Sequence, residues 1–174
     1  GVGANTDLGP GAGTIPVRVP KSITYATPRL NGFGAQAIYA GNPYGTVEPN
    51  TGTRGGVVSF TNGRLYLAAS MTQAWSAPVV VTAGTPAQSV RTDIPAVGAL
   101  YDNGKLVLSA SYARIAPQLA GSGEAQLKTL GVILLQERLS WRVSLVHRDT
   151  DGARNAAGVL AESSALGLML GADY

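Results

Sequence analysis

Two stretches of the sequence decide the fold: TNGRLYLAASMTQ at residues 61–73 and ALYDNGKLVLSASYAR at residues 99–114. Each contains an Asn-Gly dipeptide, at Asn62 and Asn103, between segments in which apolar residues alternate with smaller or polar ones. We expect both dipeptides to supply the positive φ angles of tight hairpin turns, and alternation with a period of two is typical of a β-strand. The two stretches therefore predict two antiparallel β-hairpins.

The same pattern continues along the chain and predicts an all-β fold of about nine antiparallel strands. Residues 132–135 are apolar on both faces, and the Ala, Leu and Met of residues 159–170 would also suit a helix. We interpret both segments as strands. Short turns at one end alternate with long polar connections at the other. The predicted connections are residues 42–55, 76–93, 116–126 and 149–158. This asymmetry is typical of outer-membrane β-barrels, whereas soluble sandwiches rarely keep it.

The composition limits the function classes. With 45% hydrophobic and 13% charged residues the chain is not disordered. It contains no cysteine, which excludes disulfides, thiolate metal sites and cysteine nucleophiles. The formal net charge is only +3 and the basic residues are scattered, which argues against a nucleic-acid partner. No apolar run approaches the roughly 18 residues of a membrane-spanning helix, but a barrel strand crosses a bilayer in about 9 to 11 residues.

The sequence offers no pattern for chemistry. GPGAGT has neither the strand before it nor the helix after it that a phosphate-binding loop needs. DTDGARN lacks the glycine and glutamate positions of a calcium loop. His147, the single histidine, has no partner motif, so an exposed or interfacial side chain is expected there. We therefore predict a protein that is not an enzyme, with no catalytic residue, metal site or cofactor.

At RVPKSITYATPRLNGFGAQAIYAG, residues 18–41, the chain resembles the general porins of Gram-negative bacteria, of the proteobacterial trimeric type. The shared features are the initial Arg, the Ser-Ile-x-Tyr strand, Gly-Phe and Gly-Ala-Gln. GALYDNGKLVLSASYAR and ALGLMLGADY are similar to strands from the second half of the porin barrel. The order of these segments, rather than one motif, carries the resemblance.

The resemblance implies an antiparallel transmembrane β-barrel of sixteen strands that forms a homotrimer in the bacterial outer membrane. Such a barrel contacts outer-membrane lipid and lets small hydrophilic solutes and ions diffuse passively through a water-filled channel. Residues 1–174 would then be an internal fragment that lacks five preceding and two following strands. Residues 1–17 would be the remainder of the inward-folded constriction loop, and residues 18–174 the hairpins with long external loops.

Three charged residues are candidates for the pore constriction and lumen. By resemblance, Arg18 matches a basic wall residue that faces loop carboxylates, and Asp7 is the nearest acidic candidate on the loop. Arg142 alternates with Trp141 and Val143, so it must face the lumen if those two face lipid. The alternative for Arg18 is a solvent-exposed arginine at a strand end. Basic lumen residues predict a mild preference for anions.

Aromatic residues on the expected outward faces are candidates for girdles at the two membrane interfaces. They are Tyr25, Tyr39, Tyr101, Tyr112 and Trp141. Ordinary packing within hairpins would also explain them. At the level of the whole chain, the alternative function is a soluble β-sandwich or adhesin-like binding module, in which apolar faces pack together and loops bind a ligand.

Overall fold

The computed structural model describes residues 21–41, 52–76, 78, 80, 83–120, 122–154 and 160–173. These residues form nine strands and no helix. The strands are β1 (Ser22–Ala26), β2 (Phe33–Ala40), β3 (Thr53–Asn62), β4 (Leu65–Trp75), β5 (Arg91–Asp102), β6 (Leu106–Pro117), β7 (Glu124–Gln136), β8 (Leu139–Arg154) and β9 (Leu160–Asp173). All nine pair antiparallel with their sequence neighbours in one sheet of order β1 to β9. The all-β prediction and the strand count are confirmed.

Among the described residues, no helix is long and apolar enough to cross a membrane.

The tightest turn with two positive φ angles lies between β1 and β2. Asn31 has φ 51° and Gly32 has φ 86°, which is the pattern of a type I′ turn. Leu30 and Phe33 exchange two backbone hydrogen bonds of 2.9 Å across it. This Asn-Gly dipeptide, which was not one of the two from which the hairpins were predicted, therefore has a positive φ at both residues.

At the other two Asn-Gly dipeptides the turns form as predicted, but only the glycine has a positive φ, 54° at Gly63 and 85° at Gly104. Asn103 contributes through its side chain instead. Its Oδ1 accepts hydrogen bonds from the backbone N–H of Lys105 at 3.0 Å and of Leu106 at 2.8 Å. Both dipeptides therefore supply a positive φ, as predicted, but through the glycine alone, and at Asn103 the side chain takes part in the hydrogen bonding of the turn.

Five strands extend into segments that the sequence assigned to loops. β3 begins at Thr53, β5 at Arg91 and β7 at Glu124. β6 ends at Pro117, and β8 continues to Arg154 through an irregularity between Thr150 and Ala153. The predicted loop boundaries are therefore wrong at these places. Polarity predicted a loop, but the backbone ladder continues past the point where the side chains become polar.

The register divides the sheet into two faces of opposite character. Residues paired across successive strands share a face, and the row through Leu67, here called the central row, is apolar throughout. It consists of Phe33, Phe60, Leu67, Ala99, Ala110, Leu130, Leu145 and Leu168. The adjacent row on the opposite face has no side chain larger than valine. It consists of Gly34, Ser59, Ala68, Gly98, Ser111, Thr129, Val146 and Gly167.

We call the face of Leu67 the apolar face and the face of Ala68 the small-residue face. Ala69 on the apolar face is exposed, whereas the chemically identical Ala68 on the other face is half-buried. The same difference separates the exposed Ala99 from the half-buried Gly98. The sheet therefore curves toward the small-residue face, on which the row next to the central row has the smallest side chains.

The described residues do not bury a large hydrophobic core. Their buried apolar side chains are mostly alanines, together with Val90 and Ile115. Leucines on the apolar face remain open, for example Leu168 at 62% and Leu170 at 73% exposure. Within the described ranges no second layer packs on the apolar face, so the free energy available from covering it has not been used by the fold.

Candidate functional site

The apolar face carries an apolar window of constant length that shifts from hairpin to hairpin. On β4, β6 and β7 the strand end at the turn lies two, four and six residues from the central row, at Leu65, Leu106 and Gln136. Toward the loops, the first polar side chains on the same three strands lie six, four and two residues from that row, at Gln73, Arg114 and Lys128. On β5, which lies between β4 and β6, Asp93 is still six residues from the row. The window therefore spans eight residues on each of these strands. From the β3–β4 hairpin to the β7–β8 hairpin it moves by four residues, an average of two residues per hairpin.

Above this window, toward the loops, the apolar face ends in a row of linked polar side chains that we call the polar belt. It consists of Arg54, Gln73, Arg91, Asp93, Arg114, Glu124, Lys128, His147, Asp149 and Ser164. Three ion pairs within the belt join Arg91 to Asp93, Arg114 to Glu124 and Lys128 to Asp149. The belt lies at one border of the apolar window on every strand from β3 to β9.

Over β3 to β5 the belt is a chain of hydrogen bonds. Arg54 Nε donates to Gln73 Oε1 at 2.7 Å, and Gln73 Nε2 donates to Asp93 Oδ1 at 3.0 Å. The Arg54 guanidinium also lies 5.0 Å from the ring centroid of Trp75, within range of a cation–π contact. On β6 and β7, Arg114 forms a two-point ion pair with Glu124.

Over β7 to β9 the belt is a cluster around Asp149. Lys128 Nζ lies 3.3 Å from Asp149 Oδ2, and Ser164 Oγ donates to Asp149 Oδ1 at 3.0 Å. His147 Nε2 lies 3.0 Å from Ser164 Oγ and 3.2 Å from Asp149 Oδ1. A catalytic triad needs the carboxylate and the hydroxyl on different imidazole nitrogens. Here both meet the same nitrogen, so the arrangement supports a structural cluster.

The five aromatic candidates all lie on the apolar face. Tyr101 and Trp141 are near the turns, Tyr39 and Tyr112 are paired with the belt residues Arg54 and Lys128, and Tyr25 is in the short β1. Sequence reasoning missed three aromatic residues with the same placement, Phe33, Phe60 and Trp75. Phe33 and Phe60 contact each other with ring centroids 4.8 Å apart. The alternation that identified the other five would have found them.

Arg142 lies on the small-residue face, opposite to Trp141 and Val143. Its Nη2 lies 2.6 Å from Asp173 Oδ2, and both side chains are more than half exposed. The Ser140 hydroxyl donates to the same Asp173 carboxylate at 3.5 Å. Sequence reasoning missed Asp173, because nothing in the sequence places β9 opposite β8 in this register.

Arg148 is a second basic residue on the small-residue face, six positions after Arg142 on the same strand. The period of two that assigned Arg142 to this face also assigns Arg148 to it. Larger aliphatic side chains occur on this face too, among them Ile133 and Leu127. The face is therefore mixed in polarity, with its smallest side chains in the row next to the central row.

Asp7 and Arg18, the candidates for the constriction, lie outside the described residues, as does the proposed loop at residues 1–17. Within the described part of the chain, no group of three or more His, Cys, Asp or Glu side chains could hold a metal ion.

No protein-family model matches this chain, and no curated protein matches it.

Proposed function

We propose that this chain forms part of an outer-membrane porin and contributes nine strands to a transmembrane β-barrel. The barrel lets small hydrophilic solutes and ions diffuse passively through a water-filled lumen. The resemblance to general porins supports the sixteen-stranded barrel, the homotrimer and the outer-membrane location. The observation that carries the proposal is the apolar window of eight residues that shifts by an average of two residues per hairpin.

The shift has the size expected for tilted strands that cross a slab. A shift of two residues per hairpin is one residue per strand, or about 3.4 Å along the strand for every 4.8 Å across the sheet. This ratio corresponds to a tilt of about 35°, within the range of membrane barrels. Eight residues span about 27 Å along the strand, or about 22 Å after tilting, and outer-membrane barrels have an apolar band of about 25 Å.

In this arrangement the apolar face contacts lipid and the small-residue face lines the channel. The aromatic side chains near the turns and beside the polar belt form the two girdles. The belt lies in the headgroup region, where its ion pairs are hydrated. Arg142, Arg148 and Asp173 place fixed charges toward the lumen, and selectivity follows from such lining charges and from the channel width.

Closure of the barrel requires strands beyond the nine described. β1 and β9 run in the same direction, because both are odd-numbered strands of an antiparallel sheet. They cannot pair antiparallel with each other, so an odd number of further strands must close the barrel. Seven further strands, as the porin resemblance implies, satisfy this condition. Without them the edges of β1 and β9 would leave backbone groups unpaired in lipid, at several kcal/mol each.

A soluble β-sandwich is the second candidate, and the aliphatic residues on the small-residue face, such as Ile133, favour it. It would need a second sheet on the apolar face. In a sandwich, each sheet buries the residues that lie opposite the other sheet. A sandwich therefore gives no reason for the apolar window to shift from hairpin to hairpin. We therefore favour the porin.

Adjacent alanines on opposite faces provide the test. Ala69 lies four residues from the turn-side end of the window on the apolar face, and Ala68 lies on the small-residue face. We expect Ala69→Lys to destabilise the protein in phosphatidylcholine vesicles by about 2–4 kcal/mol, as for a lysine near the bilayer midplane. Ala68→Lys should keep its charge in water, fold normally and shift the channel toward anions.

The measurements are the free energy of urea unfolding in vesicles and the conductance of the intact protein in planar bilayers. If Ala68→Lys prevents insertion while Ala69→Lys does not, the two faces are assigned the wrong way round. If the wild-type protein is monomeric and folded in water without detergent and gives no conductance, the porin proposal fails and the sandwich is favoured.

A further inference from the structure

A groove of about 720 Å³ crosses the apolar face from β3 to β7. Its floor consists of small side chains from three neighbouring strands, Ala69, Ala99 and Ala110. Bulky side chains border both ends: Phe60 and Leu67 on one side, and Tyr112 and Leu130 on the other. The groove forms because the short alanine side chains lie between larger side chains, both in the central row and in the next row of the apolar face.

The groove follows the register, so it is inclined to the apolar window as the register rows are. At β3 it begins at Phe60, two residues from the end of the strand at Asn62. At β7 it ends at Lys128, the first polar residue at the other border of the window. It therefore crosses nearly the whole window diagonally, over a length of about 19 Å for four strand spacings.

The two ends differ in charge. The turn-side end holds the Phe33–Phe60 pair, whereas the loop-side end holds the Lys128 ammonium, half exposed and 3.3 Å from Asp149. Arg114 lies on the same face, two residues further toward the loops than Tyr112, which is paired with Lys128, and it is also partly exposed. Exposed ion pairs of this kind are weak, so an anionic group can compete with the carboxylates for both cations.

We propose that this groove binds one acyl chain of an anionic phospholipid, with the chain along the alanine floor and the phosphate beside Lys128 and Arg114. The inference rests on the proposed function, because it requires the apolar face to contact lipid. An extended chain fits a long, narrow, apolar groove that opens at a cationic border.

The test is native mass spectrometry of the intact protein with added dioleoyl phosphatidylglycerol or dioleoyl phosphatidylcholine. We expect Ala99→Phe, which fills the floor, to weaken retention of one phosphatidylglycerol per chain by about tenfold. Lys128→Gln leaves the floor unchanged and should weaken phosphatidylglycerol by about fivefold without affecting phosphatidylcholine. Ala172→Phe, on the apolar face of β9 but outside the groove, is the matched control and should bind as the wild type does.

The proposal is overturned if Ala99→Phe retains the lipid like the wild type, if Ala172→Phe loses it equally, or if Lys128→Gln affects both lipids alike. It is also overturned if Ala99→Phe changes the number of chains per particle while lipid retention stays constant, because the groove would then be a subunit contact. Channel conductance of the same samples separates the two proposals. If the wild type conducts and Ala99→Phe retains the lipid as the wild type does, the lipid site alone is rejected. If the wild type neither conducts nor retains the lipid, the porin itself is rejected.

Discussion

The Arg142–Asp173 pair brings a cation and an anion together on the small-residue face. The two charges are 2.6 Å apart, and the side chains are 58% and 62% exposed. An ion pair this open contributes at most about 1 kcal/mol to stability. Its main effect is on the charge of the face, because Asp173 cancels the positive charge that Arg142 would otherwise present. The mild anion preference expected from Arg142 is weakened accordingly.

Replacing Arg142 by glutamine is expected to leave Asp173 as an unpaired anion and to shift the selectivity of the intact channel toward cations. The free energy of unfolding should change by less than about 1 kcal/mol. The reversal potential under a salt gradient measures the shift. Arg138→Gln removes the same charge in the β7–β8 turn and is the control. Equal shifts in both variants would show that Arg142 acts only through the net charge of the protein.

Among the elements, the β1–β2 turn leaves no room for a side chain at Gly32. A Cβ added at Gly32 would lie 2.3 Å from the backbone oxygen of Thr61, in the neighbouring strand. Gly104 in the β5–β6 turn has nearly the same φ, 85° against 86°, yet nothing lies within 4 Å of its Cβ position. The two glycines therefore separate the cost of the backbone conformation from the cost of a collision.

We expect Gly104→Ala to destabilise the protein by about 1 kcal/mol, for the positive φ alone. Gly32→Ala should cost about 1–3 kcal/mol more, because the β1–β2 turn must move away from β3. Urea unfolding of the intact protein in detergent micelles, followed by tryptophan fluorescence, measures the difference. Equal losses would mean that the β1–β2 turn shifts freely and does not support β3.

Strand identity was predictable from the sequence because period-two alternation is local. It located all nine strands, including the ambiguous segments now in β7 and β9. Strand length was not predictable in the same way. β5 begins at Arg91 and β8 continues through Asp149. Asp93 of β5 accepts a hydrogen bond from Gln73 of β4, and Asp149 of β8 forms an ion pair with Lys128 of β7. A polar segment in isolation looks like a loop, and only the partner strand shows that it is still paired.

The candidate site divides along the same line. Alternation assigned Arg142 and the five aromatic residues to faces, since that depends only on counting by two. The partner of Arg142, the polar belt and the groove depend on register, which is set by pairing between strands. The turn at Asn103 shows a smaller version of this: its position was predictable, but the role of its side chain was not.

For the whole molecule, comparing the register of several hairpins predicts how the strands are tilted in the membrane, which no single hairpin can do. Leu67 and Leu145 lie in the same row, but Leu67 is two residues from the turn-side end of β4 and Leu145 is six from that of β8. Trp141 lies two residues from the turn-side end of β8. If the strands are tilted by about 35°, depth in the membrane follows distance from the turn and not the row.

Cysteine variants test this directly, since the chain has no cysteine of its own. Spin labels on Leu67→Cys and Trp141→Cys of the intact protein in vesicles should lie at equal depth, although Trp141 is four residues along β8 from the row of Leu67. A label on Leu145→Cys should lie about 11 Å closer to the loop side than the label on Leu67→Cys, the rise over four strand spacings at that tilt. Collision with oxygen and with a nickel chelate, read by electron paramagnetic resonance, gives the depths. Labels at 67 and 145 at one depth, with 141 at another, would mean untilted strands, and the shift of the apolar window would then have to arise from something other than a membrane.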